Sequence, residues 1–386
     1  MSSLQMRFED IYNLEYEREY FSPGRINLIG EHIDYSGGLV LPCAITLGTS
    51  VLLSEREDSK LVFYSDNMQD VGVIEIDLND LEYNKDHNWT NYPKGVFALL
   101  KEQGHKFDKG LNLLYYGTIP YASGLSSSAS ILMATAVIAN DVYELNIDRL
   151  DLVKLTKDVE NNYIGVNTGI MDQFSIGFGK EEAAILLNTD TLDYEYIPLD
   201  LKDNSIVIMN TNKKRGLADS AYNDRRQTCD QAFDILKEEY DIEYLCDLSL
   251  DQLEAKKDLL SEGKLYDRAY HAVSENERTK LAAEVLKAGN IEEFGMLMNE
   301  SHYSLRDKYE VTGLELDTLQ TAALSIDGCL GARVTGAGFG GCAIAIVNNA
   351  KIDEFIEAVG TDYLDKIGYA ADFYVASVGP GTARVK

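Results

Sequence analysis

Two domains that each mix helices with strands are what this 386-residue sequence predicts, on three observations. The length exceeds what one hydrophobic core usually supports, and an apolar fraction of 45% is ample for two. The first half alternates strand-like segments with a long apolar helical run. A polar stretch, Asp200 to Asn204, then separates the strand-like Tyr194-Glu195-Tyr196-Ile197 from Ile206-Val207-Ile208-Met209. The boundary is therefore expected near residue 203, with domains over 1–203 and 204–386.

Taken in order, Met1 to Tyr20 is acidic and aromatic without an apolar core, and no run of eighteen apolar residues occurs anywhere. Export and membrane anchoring are unsupported. Leu61 to Tyr64 and Leu111 to Tyr116 have strand character, and Ser127 to Leu145 is apolar enough to be a buried helix. Asp148 is placed to cap a second helix running through Glu160. Gly165, Asn167 and Gly169 then break regularity before Met171-Asp172-Gln173-Phe174, a place for a functional loop. Charged helices follow over Ala221 to Tyr240 and Glu275 to Lys287. A strand-helix-strand pattern closes the chain through Val375, and the last strand is free to return to the N-terminal domain.

A formal net charge of −29 repels phosphate backbones at long range, which argues against nucleic acid or an anionic membrane as partner. Any bound phosphate must be held locally. The five cysteines, Cys43, Cys229, Cys246, Cys329 and Cys342, show no paired spacing, so reduced thiols and a cytoplasmic location are expected.

Three segments carry chemistry. Gly24-Arg25-Ile26-Asn27-Leu28-Ile29-Gly30-Glu31-His32-Ile33-Asp34-Tyr35 sets charges inside an apolar frame, as a strand ending in a ligand pocket does. Glu31 and Asp34 can accept hydrogen bonds from sugar hydroxyls, against the blander alternative of a polar loop. Pro120 to Ser130 is a strand-loop-helix turn with Ser126, Ser127 and Ser128 at the helix start. Free backbone N–H groups and the positive dipole end there suit a di- or triphosphate, where one serine alone would suffice as a cap. A Walker A ending is missing. Thr335-Gly336-Ala337-Gly338-Phe339-Gly340-Gly341-Cys342 precedes a strand, not a helix, so it fits an active-site floor better than a dinucleotide fingerprint.

Together these segments resemble the three motifs of the GHMP small-molecule kinases, and the first, continued by Gly37-Gly38-Leu39-Val40-Leu41-Pro42, is similar to the galactokinase signature. Trp89 to Gly95, Gly169 to Phe174, Asn210-Thr211-Asn212 with Tyr222 and Arg225-Arg226, and Val311 to Asp317 extend the resemblance along the chain. It implies an α+β fold with an N-terminal domain like ribosomal protein S5 domain 2, a ferredoxin-like C-terminal domain and an active site in the cleft between them. The implied activity is ATP- and Mg²⁺-dependent phosphorylation of galactose at the C1 hydroxyl by a monomer or weak homo-oligomer.

The resemblance also implies roles. Asp172 matches the catalytic carboxylate and Arg25 its basic partner. Glu31, His32, Asp34, Gly169, Asp172 and Tyr222 match galactose contacts, though His32 is equally suited to orienting Glu31 and is given no proton-transfer role. Ser123, Gly124, Leu125, Ser126, Ser127, Ser128, Ala129 and Ser130 match the phosphate loop, Trp89 and Tyr92 the adenine pocket, and Ser128 with Glu160 the Mg²⁺ site. Ile33 replaces a usual threonine and Ser36 a usual asparagine. Tyr121-Ala122-Ser123 is poorer in glycine than is typical, while the Gly124 to Ser130 core is intact. The alternatives are a catalytically silent regulator that binds galactose and ATP, a kinase for N-acetylgalactosamine or L-arabinose, and a sugar-binding module that uses no nucleotide.

Overall fold

The computed structural model describes residues 3–120, 123–166, 168–213 and 218–386, with side chains left out for 218–220. Two main sheets organise them. The first has six strands in the order Ala383–Arg384, Arg18–Asn27, Pro42–Arg56, Gly110–Gly117, Lys60–Ser65 and Ile74–Asp77. Every pair is antiparallel except Lys60–Ser65 with Gly110–Gly117, whose parallel pairing needs a crossover that the helix Asn91–Glu102 supplies. The closing strand pairs Tyr20 with Arg384, so the chain end returns to this sheet. Helices Ser127–Val142, Arg149–Asp158 and Met171–Phe178 share its core.

The second sheet runs Cys329–Thr335, Cys342–Asn348, Asn204–Asn210, Asp372–Ala376, all antiparallel. In chain order this is second, third, first, fourth, the ferredoxin-like arrangement, with a long helical excursion between its first two strands. Its two central strands, Asn204–Asn210 and Cys342–Asn348, carry unbroken apolar runs because both of their faces are covered. Alternate side chains point to opposite faces. Thus Val207, Met209, Ala343, Ala345 and Val347 enter a core with the C-terminal helices, and Ile206, Ile208, Ile344 and Ile346 enter another that includes Ile26, Leu28, Ile29, Leu41 and Cys43. That second core ties the Thr335 to Cys342 turn to the N-terminal sugar-type loop. A short sheet of Leu39–Val40, Ala183–Asn188 and Tyr194–Pro198 completes the fold.

Most expected elements are present, and their ends differ for physical reasons. The long helix stops at Val142 because Glu144 and Asn146 adopt left-handed φ of 52° and 55°. The next ends as an α-helix at Asp158 and continues as a π-helical turn over Val159–Ile164. Asp148 stands at its N-cap without a side-chain cap bond. The helix expected from Glu275 begins ten residues earlier, at Leu265, where Lys264 offers no capping side chain to mark it. All five cysteines are free. No helix is long and apolar enough to cross a membrane among the described residues.

Candidate active site

A cleft of about 380 Å³ lies between the two main sheets. The N-terminal strand brings Arg25 and the loop after it Glu31, His32 and Asp34, while the opposite wall holds Gly336 and Ala337. Ser126, Ser127 and Ser128 enter from the long helix, Glu160 from the π turn, and Asp172 from the first turn of Met171–Phe178. Tyr92, Gly124, Gly169 and Tyr222 complete the expected set that lines it.

Asp172 is the hub. Arg25 donates Nε–H to its Oδ1 at 2.8 Å and its Nη2 lies at 2.8 Å from the same oxygen, while Ser126 donates to Oδ2 at 2.5 Å. Arg25 is itself fixed by donating Nη1–H to the Gly124 carbonyl at 2.7 Å. Ser126 has φ 62° and ψ 46° and makes no cap bond. The left-handed backbone, costly for a residue with a side chain, turns its hydroxyl from capping the helix to holding the carboxylate. Oδ2, with Ser126 as its one donor, retains a lone pair for a further donor.

The sugar-type loop is built from behind. Gly30 has φ 96°, and a Cβ there would meet the Leu39 carbonyl at 2.6 Å, so only glycine makes this turn. Its N–H donates to Glu275 at 3.0 Å, and His271 donates to the Glu31 carbonyl at 3.0 Å. The Glu31 carboxylate accepts from Asn27 Nδ2 and from the Gly336 N–H. Burial outweighs these bonds and the Arg333 charge, pushing Glu31 up to about 7. Burial, and then the negative charge of Asp172, raise Asp34 to about 6. Burial and the nearby Asp34 charge push the Tyr222 phenol up as well.

These directions fix a pH dependence. As pH falls from 7 to 5, Glu31 and then Asp34 take up protons and lose acceptor capacity. The KM for a sugar held by these carboxylates is expected to climb over that window, and Asp34→Asn to flatten the part below about 6. A KM constant from pH 8 to 5 would contradict this. Gly169 gives a steric counterpart, since a Cβ there would stand 2.8 Å from Asp34 Oδ2. Gly169→Ala is expected to raise the KM about tenfold by shifting that carboxylate, an effect of the size of one lost charged hydrogen bond.

Glu160 is buried, with its carboxylate accepting from Ser128, Thr168 and Gln173, and burial raises its pKa. Ser128 and Glu160 thus meet on one wall as two hard oxygen donors. Mg²⁺ commonly takes only one or two ligands from protein, so this pair fits it. No cluster of three or more His, Cys, Asp or Glu suited to a metal occurs among the described residues.

Other expected residues do not reach the cleft. Ser123 donates to Pro120 O at 2.8 Å, Leu125 and Ala129 are buried, and Ser130 donates to Ser22 O at 2.8 Å inside the core. They shape the loop without lining it. Trp89 is half-buried and packs edge-on to Tyr115 at 5.3 Å and Phe63 at 6.2 Å. Tyr121, Ala122 and Asn167 lie outside the described residues. Thr168 and Met171 line the cleft unforeseen, and the supporting Glu275 and His271 had no local signal, being some 240 residues from the loop they hold.

Comparison with known proteins agrees with this geometry. Residues 6–55, which contain the sugar-type loop, match the galactokinase galactose-binding signature. Residues 91–180 and 282–365 match the N-terminal and C-terminal domains of GHMP kinases. A galactokinase of Clostridium perfringens is 55% identical over 100% of both chains, and one of Enterococcus faecalis 53% identical over 99% of both. The crystal structure of Lactococcus lactis galactokinase complexed with galactose superposes with a TM-score of 0.93 at 49% identity, covering 99% of this chain and 98% of that one. A mevalonate kinase, at a TM-score of 0.68 and 19% identity, shares the fold alone. Full-length identity above one half to two galactokinases, with the signature on the very loop that walls the cleft, makes this chain a member of the galactokinase family of GHMP kinases.

Proposed function

We propose that the chain transfers the terminal phosphoryl group of ATP to the C1 hydroxyl of α-D-galactose, giving galactose 1-phosphate and ADP. The observation that carries this reading is the Arg25–Asp172–Ser126 cluster, set between the Glu31 and Asp34 carboxylates and the serine-lined start of a long helix. Phosphoryl transfer leaves little covalent work to the protein, so positioning and charge stabilisation dominate.

The sugar sits against Glu31, Asp34, Gly169 and Tyr222 with its C1 hydroxyl at Asp172. Asp172 accepts the C1 proton as that oxygen bonds to the phosphorus and the bond to ADP breaks. Arg25 balances charge on Asp172 and on the transferring phosphoryl group. The N–H groups and hydroxyls at Ser126, Ser127 and Ser128 cradle the phosphates, and Trp89 and Tyr92 flank the adenine. Ser128 and Glu160 would hold Mg²⁺, which when bound neutralises phosphate charge. A donor set of serines facing the sugar end of the cleft has no use in a sugar-binding module that takes no nucleotide. In this reading the units span 1–203 and 204–386, with the last strand, Ala383–Arg384, returned to the N-terminal sheet, and the protein is a cytoplasmic monomer or weak homo-oligomer.

ADP release with ATP and Mg²⁺ over a panel of galactose, glucose, N-acetylgalactosamine, L-arabinose and mevalonate tests the proposal. Turnover on galactose far above the others is expected. Robust turnover on another acceptor alone would replace the substrate.

A further inference from the structure

His32 has no nitrogen to spare. Its Nε2 lies 3.0 Å from the Ala337 carbonyl, which can only accept, so Nε2 carries the proton. Burial holds the imidazole neutral, its pKa lowered to about 3, so Nδ1 is a bare acceptor. The Tyr35 hydroxyl, 2.9 Å away, must donate to it. Having spent its proton, Tyr35 can only accept from Tyr309, whose hydroxyl is 2.8 Å distant. Tyr309 in turn accepts from the Cys229 thiol at 3.0 Å. Every proton in this chain is placed by the one before it, starting from a backbone carbonyl that admits no other arrangement.

The chain also joins parts of the fold that are far apart in sequence. His32 and Tyr35 belong to the sugar-type loop, Tyr309 to the π turn Leu305–Tyr309, Cys229 to the helix Ala218–Leu236 and Ala337 to the glycine-rich turn. His32 sits at φ 61°, a left-handed backbone that a side chain disfavours unless its surroundings impose it. Its neighbour Glu31 accepts from Gly336, the residue beside Ala337, so two adjacent bonds pin the loop to one short segment.

We propose that His32 is a positioning residue and not a sugar ligand: the ordered chain Cys229 to Tyr309 to Tyr35 to His32 to Ala337 locks the loop so that Glu31 and Asp34 meet the sugar. The proposal rests on the reading of this cleft as the galactose site. Because Asp172 and Arg25 stand on other elements, losing the lock weakens sugar binding more than it slows the chemical step.

Nitrogen-15 NMR of histidine-labelled protein, with His32 identified among the five histidines by its loss in His32→Gln, tests this without relying on turnover. The expected result is a neutral His32 with its proton on Nε2, and ring shifts that stay put when galactose saturates the site. A proton on Nδ1, or ring shifts that move as a nitrogen is released to the sugar, would overturn the proposal. Tyr35→Phe, which leaves Nδ1 buried and unpaired, is expected to raise the KM for galactose about tenfold with kcat within about threefold. Tyr309→Phe leaves the Tyr35 donor in place and is expected to raise the KM by less than about threefold. Equal effects of the two, or a fall in kcat with unchanged KM, would count against the ordered chain. Absence of galactose turnover in the unmodified protein would instead remove the functional reading and leave the tautomer result standing.

Discussion

Asp172→Asn is expected to lower kcat by about 10²- to 10⁴-fold, the usual contribution of a placed proton acceptor. Galactose affinity, measured by calorimetry, should change no more than a few-fold. The amide keeps the size of the carboxylate. Its oxygen can still accept from Arg25, and its NH₂ can donate to Ser126, so the 2.8 Å and 2.5 Å contacts that shape the cleft floor survive in altered form. What disappears is the capacity to take the C1 proton and the charge that Arg25 balances. Turnover near that of the unmodified protein would show that another group takes the proton.

The second large effect falls on stability. Glu275 is wholly buried, accepts from Gly30 N–H at 3.0 Å and Ser301 at 2.5 Å, and pairs with Arg278, while Arg333 lies 3.9 Å away and is also wholly buried. The Arg278 and Arg333 charges, together with His271, outweigh burial and hold the carboxyl down at about 2. Glu275→Gln removes the wholly buried carboxylate that Arg278 and Arg333 both face beneath the sugar-type loop, leaving Arg278 only the exposed Glu300 at 3.7 Å. Breaking one side of such a pair costs about 3–5 kcal/mol, and the thermal midpoint should fall accordingly. The linkage has a definite sign. A carboxyl whose folded pKa is depressed stabilises above its unfolded pKa of 4.5, and that stabilisation drains away as pH falls toward 2. The unmodified protein should therefore lose stability over that window faster than Glu275→Gln, as thermal melts at each pH would record. Parallel pH profiles would contradict the assignment.

The site was legible in the sequence where chemistry is dense and local. Arg25, Glu31 and Asp34 sit within ten residues between glycines, and Ser126 to Ser128 open an apolar helix; the fold brings all of them to one cleft. Two kinds of information were not local. The first is backbone conformation. No residue pattern announces that Ser126 is left-handed and turned toward Asp172, or that a π turn after Asp158 presents Glu160. Such departures from regular geometry gather at functional sites, where surrounding packing imposes them. The second is long-range support. Glu275 looked like the first residue of a charged helix, yet that helix begins at Leu265 and places Glu275 and His271 against the loop after the first strand. Trp89, matched to the adenine pocket by resemblance, packs edge-on to Tyr115 and Phe63, long-range contacts that its own motif does not announce.

The fold followed the same division. Sequence patterning predicted the strands at Leu61 and Leu111, and the unbroken apolar run Ile206 to Met209 predicted a third. It could not say that both faces of Asn204–Asn210 are buried against different cores, which is what sets the glycine-rich turn opposite Glu31.

The most direct test of the central claim is the position of the new phosphate, read by ³¹P NMR on the product made from galactose, ATP and Mg²⁺. Asp172, held by Arg25 and Ser126 at the cleft floor, is predicted to give a single phosphate on O1 of the α anomer. A phosphate on any other oxygen, or galactose and ATP bound without ADP release, would contradict it.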